Sequence, residues 1–249
     1  MSRHLNNVTI ATAQGPRTYQ EDRAHFQRIE KGDCDGWLLA VMDGHGGEAV
    51  SEYCRQRIGE YFMLSEASKA KTALSKLIAR LARETENFRA GSTISIACIL
   101  ESHRKAVIAV LGDSPVIVLD GAGKLHASPE HNVRSNAKER EAAEKRGGIY
   151  MDGYIYSRHG DLGLQMSRAL GDHNLHSVLS RDPEIYTIDD PRWVLVASDG
   201  VVDPGHANTD VLIRELEVQA KRGSDADSII RWTSNRGLHD NATAVAWRR

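Results

Sequence analysis

The chain has 249 residues, 41% hydrophobic and 27% charged, with 32 Lys and Arg against 34 Asp and Glu for a net charge of −2. That balance excludes a disordered chain, and without a basic surplus neither nucleic acid nor an anionic membrane is expected as the main partner. With no repeat, low-complexity tract or linker, one domain over residues 1–249 is expected.

The predicted elements follow from hydrophobic period. Residues 8–13 read as a strand, after a short polar lead-in with no apolar segment of signal-peptide type. Residues 37–42 form a second, uninterrupted apolar strand. Residues 48–63 carry Val50, Tyr53, Cys54, Ile58, Tyr61 and Phe62 at helical spacing, and 70–88 repeat the pattern through Leu74, Leu77, Ile78 and Leu81. Strands follow at 93–100, 106–111 and 116–119. A charged helix at 136–146 ends at Gly147-Gly148, and the apolar spacing of 164–170 suggests a buried helical turn in which Arg168 pairs with an acid. The other cations of 134–146 are expected on a solvated face. A strand at 193–197 precedes helices at 210–221, capped by Asn208 or Thr209 and stopped by Gly223, and at 225–232. A strand at 242–247 closes the chain. Helices arrive in pairs and strands in hairpin-like runs, so the expected class is α+β: a four-layer α-β-β-α sandwich of two antiparallel sheets flanked by helix pairs.

Cys34, Cys54 and Cys98 are odd in number and lack Cys-x-x-Cys spacing, which suits reduced thiols in a cytoplasmic protein better than disulfides or a zinc knuckle. No apolar run approaches the ~20 residues that span a bilayer.

The chemical signal lies at strand ends. The 37–42 strand runs into Asp43-Gly44-His45-Gly46-Gly47, and the 193–197 strand into Ser198-Asp199-Gly200. The 106–111 strand runs into Gly112-Asp113-Ser114, and Asp240-Asn241 stands just before the last strand. Gly15-Pro16-Arg17 precedes Glu21-Asp22. Taken singly, an Asp-Gly after a strand is a favoured turn, His45 a turn histidine and Arg17 half of a surface ion pair. Taken together, converging strand ends would put five or six carboxylates in one small volume, where two charges ~4 Å apart repel by about 4 kcal/mol at an effective dielectric of 20. Such a cluster calls for protons or hard cations, Mg²⁺ or Mn²⁺ rather than Zn²⁺. No Cys-x₅-Arg motif supports a phosphocysteine route.

In order, these segments resemble the metal-dependent protein phosphatases of type 2C. The resemblance is carried by 15–23 (Gly-Pro-Arg-Thr-Tyr-Gln-Glu-Asp-Arg), 41–47 (Val-Met-Asp-Gly-His-Gly-Gly), Gly91-Ser92-Thr93 and Gly112-Asp113-Ser114. It continues through 164–172 (Leu-Gln-Met-Ser-Arg-Ala-Leu-Gly-Asp), 197–203 (Ala-Ser-Asp-Gly-Val-Val-Asp) and Asp240-Asn241-Ala242-Thr243. It implies a β-sandwich with flanking helix pairs, and hydrolysis of phosphoserine and phosphothreonine monoesters by a water bridging two Mn²⁺ or Mg²⁺ ions.

Carried over by position, Asp43 would bridge two ions. The Gly44 carbonyl and Glu21 would serve one of them, and Asp199 with Asp240 the other. Asp22 would orient the metal-bound water, and Asp113 and Asp203, with Asp199, match a weaker third site of some members. Arg17 would hold the substrate phosphate and His45 would protonate the leaving alkoxide. The implied partner is a phosphoprotein, with no nucleic acid, no membrane and a monomeric chain.

Two departures stand out: Pro115 where the family has Arg, and Glu130-His131-Asn132 where an Asp-His-Lys-Pro type block is usual. Both lie near residues 130–161, which correspond to the family's flap, so they bear on substrate choice. Competing readings are a catalytically silent phosphatase-fold binding protein, which should lack ligands, and a metal-dependent phosphodiesterase or nuclease, which should carry a basic or aromatic surface.

Overall fold

The computed structural model describes residues 3–5, 7–158, 160, 162–202 and 209–249. Two antiparallel sheets pack face to face. One has six strands in the order Arg3–Leu5, Val8–Ala13, Ala242–Arg248, Pro191–Ala197, Val116–Asp120, Leu125–Ala127; the other has five, in the order Glu184–Asp189, Lys105–Leu111, Ile94–Leu100, Cys34–Met42, Arg23–Lys31.

The uninterrupted apolar runs are explained by burial on both faces. Along Cys34–Met42, Trp37, Leu39 and Val41 point into the layer between the sheets, where they meet Ile108, Val118, Val196 and Trp247. The alternate residues Leu38, Ala40 and Met42 face the helices Ala49–Tyr61 and Ala70–Thr85, against Cys54, Ile58, Leu74 and Leu81. The period-2 alternation of a strand thus feeds two cores at once. The six-stranded sheet does the same, packing Leu195, Ala244 and Ile117 against Leu216, Ile229 and Ile230 of the helices Thr209–Arg222 and Ala226–Ser234. The expected four layers are present.

Local signals hold where they carry a physical cause. Asn136 caps the helix Ala137–Lys145, accepting from the amides of Lys138 and Glu139, and Gly147 follows at φ 96°. Asp225 accepts from the amide of Ser228 at the start of the last helix.

Short strands such as Leu125–Ala127, Ile149–Met151 and Tyr154–Tyr156 escaped the sequence reading; the two longest that did so, Arg23–Lys31 and Glu184–Asp189, are both edges of the five-stranded sheet. Their sequences, Arg-Ala-His-Phe-Gln-Arg-Ile-Glu-Lys and Glu-Ile-Tyr-Thr-Ile-Asp, are largely polar and only half buried, as befits an edge.

The helical turn expected over 164–170 is not formed. The strand Gly163–Leu164, bridges at Met166 and Arg168, and the strand Leu170–Gly171 replace it. The reason lies in the partners: Gln165 O accepts from Val133 N at 2.6 Å, Ser167 N donates to His131 O at 2.8 Å, and Ser167 O accepts from Ser180 N at 2.9 Å. These groups are satisfied by neighbouring segments, which leaves no helical ladder.

Arg168 does pair with an acid. Its guanidinium donates to Glu139 at 3.0 and 2.6 Å. Arg146, expected on a solvated face, instead donates to the carbonyls of Val178 and Ser167 at 2.6 and 3.2 Å. Both arginines brace a small satellite core of Val133, Ala143, Ile155, Ala169, Leu175 and Val178 under the 130–161 region. Among the described residues no helix is long and apolar enough to cross a membrane.

Candidate active site at the converging strand ends

The acidic residues flank central strands and the sheet edge at one end of the sandwich. Arg23 pairs with Met42 across the five-stranded sheet, so Asp22 and Asp43 lie side by side at its end. Ala197 pairs with Ala244 across the other sheet, bringing Ser198-Asp199 beside Thr243 and the Asp240-Asn241 turn.

Buried hydroxyls hold these ends. Asp43 N donates to Thr93 Oγ1 at 3.1 Å, and Thr93 N and Ser92 Oγ donate back to Asp43 O at 2.9 and 3.1 Å. Ser198 Oγ donates to Asp22 Oδ2 at 2.7 Å and accepts from Thr243 N at 2.9 Å. Asn241 ties the N-terminal loop down: its Oδ1 accepts from Glu21 N at 2.8 Å, and its Nδ2 donates to the carbonyls of Gln14 and Tyr19 at 2.8 and 3.1 Å.

Asn241 is 4% exposed. Replacing it with Ala leaves the buried Glu21 amide and two carbonyls without their partner. The expected cost is about 3 kcal/mol, at ~1–3 kcal/mol per stranded buried group and less than additive. The urea midpoint should fall with an unchanged slope.

The electrostatics bind the cluster into one site. Burial first, then the charges of Asp22, Asp199 and Asp113, push the Asp43 carboxyl well above the usual carboxylate range. Burial and then Asp113 push Asp199 the same way, with Asp240 and Asp22 adding to the effect. Asp43 and Asp199 each act on the other, so the two carboxyls titrate as neighbours. Asp22 is pushed up to about 6 by burial, against the opposing hydrogen bonds of Ser198 and Thr243. Five of the predicted acids, Asp22, Asp43, Asp113, Asp199 and Asp240, are therefore within mutual reach.

Arg17 stands over them. Its Nη2 donates to Asp240 Oδ2 at 2.5 Å, and Glu21 and Asp43 add favourable charge. Glu21 Oε1 accepts from Gly47 N at 2.6 Å. Gly44 is buried so tightly that a Cβ there would lie 2.7 Å from Glu21 O and 2.8 Å from Ser51 Oγ. Asp113 Oδ2 accepts from Asn132 Nδ2 at 3.0 Å, which links the 130–161 region directly to the site. Asp203 lies outside the described residues.

Sequence reasoning missed Asp172, although the segment containing it had been singled out. Its carboxylate is hydrogen-bonded to His45 Nε2 at 3.0 and 2.9 Å.

The donor set tests what the site can hold. Among the described residues no group of three or more His, Cys, Asp or Glu side chains is arranged to hold a metal ion. The chemistry of the set nevertheless suits a hard divalent cation. Every donor is an oxygen, no thiol or imidazole intrudes, and Asp22 Oδ1 is buried with no hydrogen-bond partner. A cation would take the place of the protons that burial forces onto these acids.

A family model described as protein phosphatase 2C matches residues 7–241. The bovine "Protein phosphatase 1L" is 28% identical over 96% of this chain and 71% of its own length, and the Arabidopsis thaliana "Probable protein phosphatase 2C 9" is 34% identical over 72% and 65%. The chain thus spans about two-thirds of the length of these two relatives. A serine-threonine phosphatase 2C from Toxoplasma gondii superposes with a TM-score of 0.76 at 19% identity, covering 100% of this chain and 97% of that one, which is a likeness of fold.

Proposed function

The chain belongs to the protein phosphatase 2C family, with the hydrolase chemistry of a protein serine/threonine phosphatase; on that premise we propose that it cleaves phosphoserine and phosphothreonine monoesters at the strand-end acidic site in a reaction dependent on Mn²⁺ or Mg²⁺. The observation that carries this reading is the gathering of Asp22, Asp43, Asp113, Asp199 and Asp240 beneath Arg17.

Asp43, the Gly44 carbonyl, Glu21, Asp199 and Asp240 would hold two cations, with Asp113 and Asp203 beside a third. When bound, such ions supply Lewis acidity for a water nucleophile and neutralise phosphoryl charge.

The chain's own groups do the rest. Arg17, with two parallel donors, grips phosphoryl oxygens and orients the ester. Its pairing with Asp240 is half exposed, and exposed pairs are worth only ~0–1 kcal/mol, so exchange for a phosphate is inexpensive. Asp22, fixed by Ser198, orients the attacking water. His45 gives a proton to the departing seryl or threonyl oxygen, which is a poor leaving group without one. The substrate is a phosphoprotein met by a chain acting as a monomer. Cys34, Cys54 and Cys98, all buried and free, favour a reducing, cytoplasmic setting.

The test is phosphate release from matched phosphothreonine and phosphotyrosine peptides, with and without Mn²⁺. Release confined to the phosphothreonine peptide and to the Mn²⁺ arm is expected. No release in any arm, with Mn²⁺ binding retained, would replace this reading with a silent phosphatase-fold binding protein. Cleavage of single-stranded DNA in its place would point to a nuclease.

A further inference from the structure

We propose that Asp172 is the positioning residue for His45, fixing the orientation and the tautomer of its ring. The inference rests on the phosphatase reading above for the role of His45, but the pair itself is a geometric fact. Both Asp172 oxygens lie within 3.0 Å of His45 Nε2, and Asp172 is only 6% exposed. A carboxylate accepts and does not donate, so the ring hydrogen facing it sits on Nε2. His45 Nδ1 is buried and has no hydrogen-bond partner.

The backbone around the pair is built for it. His45, Gly91 and Gly171 stand abreast in a three-stranded ribbon, His45 paired with Gly91 and Gly91 with Gly171. Asp172 follows at φ 51°, ψ 54°, a left-handed conformation that costs free energy in any residue with a Cβ. Its amide donates to Ala90 O at 3.0 Å and its carbonyl accepts from Leu175 N at 2.8 Å. Arg181 clamps the same turn, donating to the carbonyls of Ala169 and Gly171 at 2.5 Å each.

Gly91 leaves the space the pair occupies. A Cβ there would lie 2.1 Å from Asp172 Oδ2 and 2.3 Å from His45 Nε2. A strained acid, a clamp on its turn and a vacant Cβ position all converge on one imidazole edge. The logic is that of a carboxylate that selects tautomer and ring angle without itself reacting. In the step it serves, water attacks phosphorus and the phosphorus–oxygen ester bond breaks. The electron pair leaves on the seryl or threonyl oxygen, and that oxygen takes a proton from the His45 ring that Asp172 holds in place. The proton that the attacking water sheds passes to solvent, and solvent returns one to the ring.

The experiment uses the full chain with Mn²⁺ and two substrates. A phosphothreonine peptide needs its leaving oxygen protonated, whereas p-nitrophenyl phosphate releases a stable anion. Asp172→Asn keeps the left-handed turn accessible, since Asn tolerates it. It is expected to lower kcat on the peptide about thirtyfold, part of the ~10²–10⁴ that a placed acid contributes, with KM within about twofold and only about a threefold loss on p-nitrophenyl phosphate. His45→Gln should show the same selectivity, and the double variant should be no slower than His45→Gln alone. Gly91→Ala, which displaces the pair while leaving both side chains chemically intact, should repeat the peptide-selective loss.

Equal losses on both substrates, or losses that multiply in the double variant, overturn the proposal. Nitrogen-15 spectra of the His45 ring, taken at a pH where the ring is neutral, provide a readout independent of turnover: an Nε2–H tautomer in the wild type that becomes mixed in Asp172→Asn is expected, and an unchanged ring spectrum overturns the assignment. If the wild type turns over neither substrate, the phosphatase reading fails while the ring spectra still decide the pair.

Discussion

Asp43→Asn and Asp199→Asn should each lower phosphate release from a phosphothreonine peptide by at least ~10³-fold, while the metal-free variants melt no lower than the wild type at about pH 8. The two halves of this expectation come from the same crowding. The folded state raises both carboxyls above the carboxylate range, through burial first and the neighbouring acids second. An acid whose pKa is higher folded than unfolded makes folding less favourable once pH exceeds its unfolded value, so the metal-free wild type loses stability as pH rises. Asn cannot ionise and escapes that penalty. The advantage of the variants should fade as pH falls below about 3, where the wild-type acids are protonated in both states.

Catalysis runs the other way. Asn supplies one weak oxygen donor where a carboxylate supplies two charged ones, so the groups that meet developing charge are lost. Adding Mn²⁺ should raise the wild-type melting point by mass action and leave the variants nearly unmoved. Activity assays and thermal melts on the same preparations check both halves. Variants that melt lower in proportion to their lost activity would make these acids structural, and variants with full activity would end the proposed chemistry.

How much of this was legible in the sequence depends on what each residue's role rests upon. The strand-end acids were legible because a strand ends in a turn, and turns announce themselves as Asp-Gly. Their order along the chain then added a pattern that no single turn has. The apolar strands were legible because both faces are buried, as Trp37, Leu39 and Val41 on one side and Leu38, Ala40 and Met42 on the other make plain. The edge strand Arg23–Lys31 was not, since one neighbour and a half-exposed face place few demands on composition.

Asp172 was hidden for a different reason. Its partner lies 127 positions away, and its place depends on a left-handed turn, a glycine opposite and an arginine clamp, none of which has a sequence period. Asn241 was quoted as part of a motif, but its work is done on the Gln14–Glu21 loop, which only the fold brings near. Residues 164–170 misled because apolar spacing cannot tell a helical turn from a segment whose amides and carbonyls are claimed by neighbours such as Val133 and His131.

Removal of divalent cations should abolish turnover, and Mn²⁺ should restore it with an affinity that strengthens as pH rises. In the metal-free pocket Asp22 is pushed up to about 6 by burial, and Asp43 and Asp199 are pushed up as well, so protons occupy the site near neutrality. A cation needs those oxygens ionised and must expel the protons. Below the raised value competition grows, by up to about tenfold in apparent Kd per pH unit for each proton displaced; well above it competition fades. Ser198 and Thr243 oppose the rise at Asp22 by hydrogen-bonding its carboxylate, so Ser198→Ala should raise that value further and weaken Mn²⁺ binding most at about pH 6. Calorimetric titrations at about pH 6 and about pH 8, in buffers of different ionisation enthalpy, count the protons released and give the affinities. Activity that survives exhaustive chelation would overturn the metal dependence. Mn²⁺ binding that releases no protons and keeps one affinity across that range would show that the ion sits away from the carboxylates that burial has loaded.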